Sequence, residues 1–66
     1  KTDFNLTKRE TEILEQLAAG LNYHQIAENL FISPGTVRKH IENIYQKLQV
    51  HNKVEAVQVA IKNRLV

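Results

Sequence analysis

The stretch from Ser33 to Leu48 is rich in side chains that can form hydrogen bonds with a polar partner. At 100° per residue these side chains project to one side of a helix, with no apolar residue among them. This polar face consists of Gly35, Arg38, Lys39, Glu42 and Gln46, with Asn43 at its edge. Most charged helix faces are only solvated, so the spacing alone favours water as the partner. The neighbouring elements must decide whether the face binds anything else.

A helix over 33–48 is predicted by its start signal and its inner stripe. Ser33 is a favourable N-cap, because its hydroxyl can accept a hydrogen bond from an amide one turn on. Pro34 suits the first helical position, where no amide hydrogen is missed. Residues that point inward recur at three- and four-residue spacing, and they are Val37, His40, Ile41, Ile44 and Leu48. We expect this stripe to pack inward and the polar face to remain exposed.

A shorter helix is predicted just before it, over 22–30. Asn22 and Gln25 form a capping-box pattern. An inner side is supplied by Ile26, Ala27 and Leu30. The link of residues 31–32 is too short for two antiparallel helices, so the second helix should cross the first steeply. This is a helix-turn-helix pattern, in which the second helix enters the major groove of DNA and the first crosses the phosphate backbone.

The first turn of the 22–30 helix is a candidate phosphate contact. Unpaired amides and the positive end of the helix dipole attract a phosphate oxygen there. The residues concerned are Asn22, Tyr23 and His24. For Tyr23 an alternative is at least as favourable, namely a half-buried aromatic ring with its hydroxyl at the surface.

An earlier helix is predicted over 7–19, after a linker of residues 1–5. Thr7 and Glu10 form a capping box, and Gly20 can end the helix in the left-handed conformation. Its inner stripe is Ile13, Leu14, Leu17 and Ala18. We interpret Glu10, Glu12 and Glu15 as surface acids that match the helix dipole, without catalytic chemistry.

The last helix, predicted over 52–63, has two apolar strips. Asn52 and Glu55 form another capping-box pattern, and Asn63 is expected to replace glycine as a left-handed stop. One strip, Ala56, Val59 and Ala60, can face the domain. The other consists of Val54, Val57 and Ile61, with Gln58 among them. This second strip predicts either a dimer interface or a wide core face, and the spacing does not choose between them.

The bulk properties describe one small folded domain. The 66 residues are 42% hydrophobic and 24% charged, with no cysteine, so neither disorder nor an oxidising compartment is indicated. Residues 1–30 carry a net charge of −2 and residues 31–66 a net charge of +4, which suits a polyanionic partner on the second half. The three scattered histidines make a metal site improbable, and no nucleophile, cofactor site, signal peptide or membrane span is indicated. We therefore expect a cytoplasmic protein that is not an enzyme. Since the first residue is Lys, we also expect the chain to be a piece of a longer protein.

The motifs together resemble the LuxR-type (GerE-type) DNA-binding domain of bacterial transcription regulators. They are Leu6-Thr7-x-Arg9-Glu10, Ala19-Gly20, Ile26-Ala27-x-x-Leu30-x-Ile32-Ser33, Thr36-Val37-Arg38-x-His40, Lys47-Leu48 and Glu55-Ala56. The resemblance implies an all-α, four-helix domain without a wing, which reads the major groove with helix 33–48 and dimerises on DNA through its last helix.

The resemblance also implies roles for particular positions. The base-reading set is Arg38, Lys39, Glu42 and Asn43; the phosphate-binding set is Asn22, Tyr23, His24, Ser33, Thr36 and Lys47. Glu42 departs from basic relatives: it can accept from a cytosine amine, repel phosphate or be neutralised by Lys39. Gln49 stands where glycine is common, and Lys53 where arginine is common.

We therefore predict sequence-specific binding of double-stranded DNA, as the output domain of a regulator similar to the NarL-type response regulators. Its expected partners are DNA and a second copy of the chain, with RNA polymerase as a further candidate and no membrane. Two alternatives remain: a protein-interaction module that uses the basic helix, and a domain resembling sigma-factor region four.

Overall fold

A computed structural model describes residues 4–66, which form four helices and no strand. Helix α1 spans Lys8–Ala18, α2 spans Tyr23–Leu30, α3 spans Pro34–Leu48 and α4 spans Lys53–Lys62. The predicted all-α, four-helix class is confirmed. Each observed helix is one residue shorter at one or both ends than its predicted range, because those ranges included capping residues.

The core is a single cluster to which every helix contributes. Its fully enclosed members are Ile13, Leu14, Leu17, Ile26, Ala27, Val37, Ile41, Ile44, Leu48, Ala56 and Ala60. Helices α1 and α3 each pack against the other three, whereas α2 and α4 do not pack against each other. Helix α3 therefore has one face held by the rest of the domain, and its opposite face is left outside.

Side-chain caps fix the start of each helix, as the sequence predicted. Thr7 with Glu10, and Asn22 with Gln25, form complete capping boxes. Ser33 Oγ accepts from the Thr36 amide at 3.1 Å. The prediction for α4 was only half right: Asn52 caps the Glu55 amide, but the Glu55 carboxylate accepts from the His51 amide at 2.8 Å and not from Asn52. This bond ties the corner before α4 to its first turn.

All four helices end on a residue with positive φ: Gly20, Phe31, Gln49 and Arg64. In each case the next amide donates to the carbonyl five residues earlier, as Leu21 does to Gln16. This is the Schellman arrangement, which satisfies carbonyls left over at a helix end. The predicted stop at Asn63 was wrong: Asn63 has a φ of −99°, and Arg64 takes the left-handed conformation one residue later.

An ion pair between Glu10 and Lys47 joins the start of α1 to the end of α3. Glu10 is only 3% exposed, so its interpretation as a surface acid was wrong. Lys47 Nζ donates to Glu10 Oε1 at 2.7 Å and to the Asn5 carbonyl at 3.0 Å. Phe4 also packs against the core, so residues 4 and 5 belong to the folded body and not to a linker. The rest of the predicted linker, residues 1–3, lies outside the described residues.

The Glu10 carboxyl group has a lowered pKa. Burial alone raises this pKa, but hydrogen bonds from Lys47 and from the Thr7 amide, together with the charge of Lys47, outweigh burial. A carboxyl group whose pKa is lower in the folded than in the unfolded chain stabilises the fold above its unfolded pKa, and this contribution disappears as the pH falls through the folded pKa.

We therefore expect Glu10→Gln to lower the free energy of unfolding at pH 7 by about 1–3 kcal/mol. The oxygen of the glutamine side chain can still accept from the Thr7 backbone amide, but Lys47 loses the carboxylate with which it pairs. The loss should shrink as the pH is lowered from the ordinary carboxyl pKa of 4.5. Urea unfolding between pH 7 and pH 3 measures it. The exposed Glu15 serves as control, since Glu15→Gln should change little at any pH. Equal losses in the two variants would contradict the assigned role of the ion pair.

Gln49 offers a second stability test. Its φ of 58° strains a residue that carries a Cβ, by about 1 kcal/mol relative to glycine. Gln49→Gly should therefore raise the midpoint of urea unfolding. Gln46→Gly, an exposed helical position of the same residue type, should lower the free energy of unfolding by about 1 kcal/mol. A loss of stability in Gln49→Gly would show that contacts of the glutamine side chain outweigh the backbone strain.

Candidate nucleic-acid interface

The outer face of α3 is an uninterrupted polar surface. Its inner stripe is enclosed, since Val37, Ile41 and Ile44 are at most 1% exposed. The residues of the polar face are exposed, and they are Gly35, Arg38, Lys39, Glu42 and Gln46. Asn43, at its edge, is half-buried, as is His40 on the inner side. The structure therefore places Arg38, Lys39 and Glu42 together on one accessible side of the helix.

The polar residues at the start of α3 are also accessible. The Ser33 and Thr36 hydroxyls lie 2.9 Å apart and share a hydrogen bond, while Ser33 also caps the Thr36 amide. Both residues are exposed. Their hydroxyls are thus held at the end of the helix where the dipole attracts an anion.

The first turn of α2 is accessible. Burial raises the pKa of Tyr45 in α3 above its ordinary value, and Tyr23 adds to this rise. Asn22 and His24 are exposed, and Tyr23 is 39% exposed. Both interpretations of Tyr23, a phosphate contact and a half-buried ring with its hydroxyl at the surface, agree with this position.

A cavity of about 370 Å³ next to this turn reveals a cation that the sequence analysis did not assign to the site. It is lined by Leu17, Leu21, Asn22, Tyr23, His24 and Lys53. Lys53, the exposed first residue of α4, is therefore close to the three predicted phosphate contacts. The sequence contains no local sign of this proximity, because the whole of α3 lies between Lys53 and the first turn of α2.

The three basic residues of α3, Arg38, Lys39 and Lys47, differ in whether they form an ion pair and with which acid. Arg38 Nε lies 3.9 Å from Glu42 Oε2, an exposed pair one turn apart. Lys39 is exposed and forms no ion pair within the described residues. Lys47 Nζ is bonded to Glu10 and to the Asn5 carbonyl, on the side of α1. We therefore remove Lys47 from the phosphate-binding set, because its ammonium group is already engaged inside the domain.

The outer strip of α4 is apolar and largely accessible. Val54 is 66% exposed and Ile61 62% exposed. Gln58 is exposed between them, and Val57 is half-buried. The opposite strip faces the domain, with Ala56 and Ala60 fully enclosed. A wide core face does not account for the outer strip, since Val54 and Ile61 are largely exposed within residues 4–66.

Comparison with known families decides the identity of this fold. The profile of the luxR family of bacterial regulatory proteins matches residues 4–60. The chain belongs to this family. The LuxR-family match confirms the resemblance seen in the sequence, and with it a DNA-binding helix-turn-helix output domain of bacterial transcription regulators that is not an enzyme.

Individual relatives agree with this membership. The transcriptional regulatory protein YxjL of Bacillus subtilis is 47% identical over 60 residues, which cover 91% of this chain and 28% of YxjL. A nitrate/nitrite response regulator homologue of Haemophilus influenzae is 52% identical over 52 residues, 79% of this chain and 25% of that protein. The solved structure of ChrA, a response regulator of a heme-sensing two-component system, superposes with a TM-score of 0.91 at 44% identity.

The match to ChrA covers the whole of this chain and 33% of ChrA. The LuxR-family domain described here thus spans about a quarter to a third of these relatives. No helix in residues 4–66 combines the length and the apolar character needed to cross a membrane.

Proposed function

We propose that this LuxR-family domain reads the major groove of double-stranded DNA with α3. The observation that carries the proposal is the exposed polar face of α3, held outward by a fully enclosed stripe on the other side. Base reading is assigned to the part of this face that carries Arg38, Lys39, Glu42 and Asn43. Arginine can donate two parallel hydrogen bonds to O6 and N7 of guanine, and asparagine can pair in the same way with adenine.

Phosphate contacts are assigned to residues in the first turn of α2, at the start of α3 and at the start of α4. They are Asn22, Tyr23, His24, Ser33 and Thr36, to which the position of Lys53 adds a cation. Two helix starts and one ammonium group would thereby fix the domain on the backbone, while the polar face reads the bases. The positive second half of the chain supports this orientation.

A second copy of the chain is the proposed partner of α4. The accessible strip of Val54, Val57, Gln58 and Ile61 can pair with itself around a two-fold axis. A dimer would place two α3 helices on two half-sites, so the proposed target is a paired site.

The full-length protein is inferred from its relatives. Their names describe transcriptional regulators and response regulators. We infer that this domain acts in the cytoplasm as the output end of such a regulator, at promoters, where RNA polymerase is a further partner.

Arg38→Ala tests the base-reading assignment. The cognate duplex is first obtained by selection from random duplexes, and affinities are then measured on that duplex and on an unrelated one. We expect a loss of about 1–3 kcal/mol on the cognate duplex and almost none on the other, because the bidentate contact exists only with guanine. Lys62→Ala removes an exposed cation from α4 and should weaken both slightly. Equal losses for Arg38→Ala on the two duplexes would reassign Arg38 to phosphate, and a wild-type domain without sequence preference would refute the proposed function.

Val54→Asp and Ile61→Asp test the dimer. Both side chains are exposed, so each variant should stay folded and bind a single half-site normally. Two copies of the variant should nevertheless bind a paired site without cooperativity, because a carboxylate would be buried between them. Phe31→Asp, at a 95% exposed apolar residue away from α4, should retain cooperativity. Circular dichroism and binding to one-site and two-site duplexes supply the measurements, and cooperativity that survives both α4 substitutions would exclude this strip.

A further inference from the structure

The acidic residue of the polar face points to a specific role in sequence reading. Glu42 lies one turn after Arg38, and its Oε2 is 3.9 Å from Arg38 Nε. The two side chains are 71% and 57% exposed, so the pair is largely surrounded by solvent in the free domain. Lys39, which the sequence analysis considered as the residue that neutralises Glu42, forms no ion pair with it in the described structure.

Helix stability does not explain this pair. An acid that precedes a base by four residues stabilises a helix, and the reverse order found here is the weaker one. Exposed ion pairs contribute very little in any case. What the contact does do is place the carboxylate beside the guanidinium group on the same side of α3.

We propose that Glu42 is a positioning residue for Arg38, which holds its guanidinium group for a guanine and away from the DNA backbone. With the carboxylate on the Nε side of the guanidinium group, at 3.9 Å, the two terminal nitrogens remain to donate side by side to O6 and N7 of one guanine. The paired group is also neutral overall, so it is drawn less strongly to a phosphate than a free arginine would be. The inference rests on the proposed function, and it explains how the domain would obtain specificity for the guanine that Arg38 reads.

This role predicts a particular pattern of coupling between two substitutions. If Glu42 positions Arg38, then Glu42→Gln should reduce the preference for the guanine that Arg38 reads, and should do so only while Arg38 is present. If Glu42 instead accepts a hydrogen bond from a cytosine, its substitution should alter preference at a different base pair, with or without Arg38. If Glu42 merely repels phosphate, its substitution should strengthen binding to every duplex by the same factor.

The experiment is a double-mutant cycle on three duplexes. Wild type, Glu42→Gln, Arg38→Ala and the double variant are measured on the selected duplex, on the same duplex with the guanine pair replaced, and on an unrelated duplex. We expect Glu42→Gln to lower the preference for the guanine pair about two- to fivefold and to strengthen binding to the unrelated duplex. In the Arg38→Ala background the same substitution should leave the preference unchanged.

Glu28→Gln is the matched control, because it removes an exposed acid from α2 of the same helix-turn-helix. It should leave the preference at the guanine pair intact. Additive effects in the cycle, preference altered at another base pair, or an equal gain on all three duplexes would each overturn the positioning role. Failure of the proposed function has a different signature, since the wild-type domain itself would then bind all three duplexes equally.

Discussion

The packing of the inner stripe of α3 is the constraint on which the interface depends. Val37, Ile41, Ile44 and Leu48 are enclosed by the other helices, so α3 cannot turn about its axis without exposing them. A chain of this length buries only about 60% of its unfolded surface, and the loss of one such stripe would be a large part of its stability. The same contacts that fold the domain therefore hold Arg38 and Lys39 outward. In this LuxR-family domain, stability and the orientation of the polar face are one requirement.

Local signals made most of the fold readable from the sequence. Each N-cap and its partner lie three residues apart, as Asn22 and Gln25 do, so a short stretch of sequence is enough to predict where a helix starts. The inner stripes follow from 3.6-residue periodicity in the same way. The polar face of α3 could be predicted because it is the complement of a stripe. The exposure of the second α4 strip could not, because its spacing agreed equally well with a wide core face, and only the structure shows Val54 and Ile61 exposed.

Features that depend on contacts across the chain could not be predicted. Glu10 and Lys47 are 37 positions apart, so nothing in their surroundings showed that Glu10 would be buried and that Lys47 would bond to it. Lys53 lies near Asn22, Tyr23 and His24 only because the first residue of α4 comes back to the start of α2. The helix ends at Phe31, Gln49 and Arg64 could not be predicted for another reason. Residues with a Cβ resist positive φ, and the hydrogen bonds formed at each helix end offset the cost of that conformation.

The charges that remain available on α3 indicate how the domain would balance affinity against specificity. Lys47 is neutralised by Glu10 and Arg38 is paired with Glu42, which leaves Lys39 as the cation of α3 without an ion pair in the described structure. Non-specific attraction to DNA grows with the number of phosphates neutralised, so the proposed reading face, with so little free charge, would bind weakly to DNA of any sequence. Weak binding of one copy would make a second copy important, because linking two half-sites multiplies their separate preferences. If the exposed strip of α4 pairs with itself as proposed, occupancy would therefore depend on two correct half-sites more than on charge.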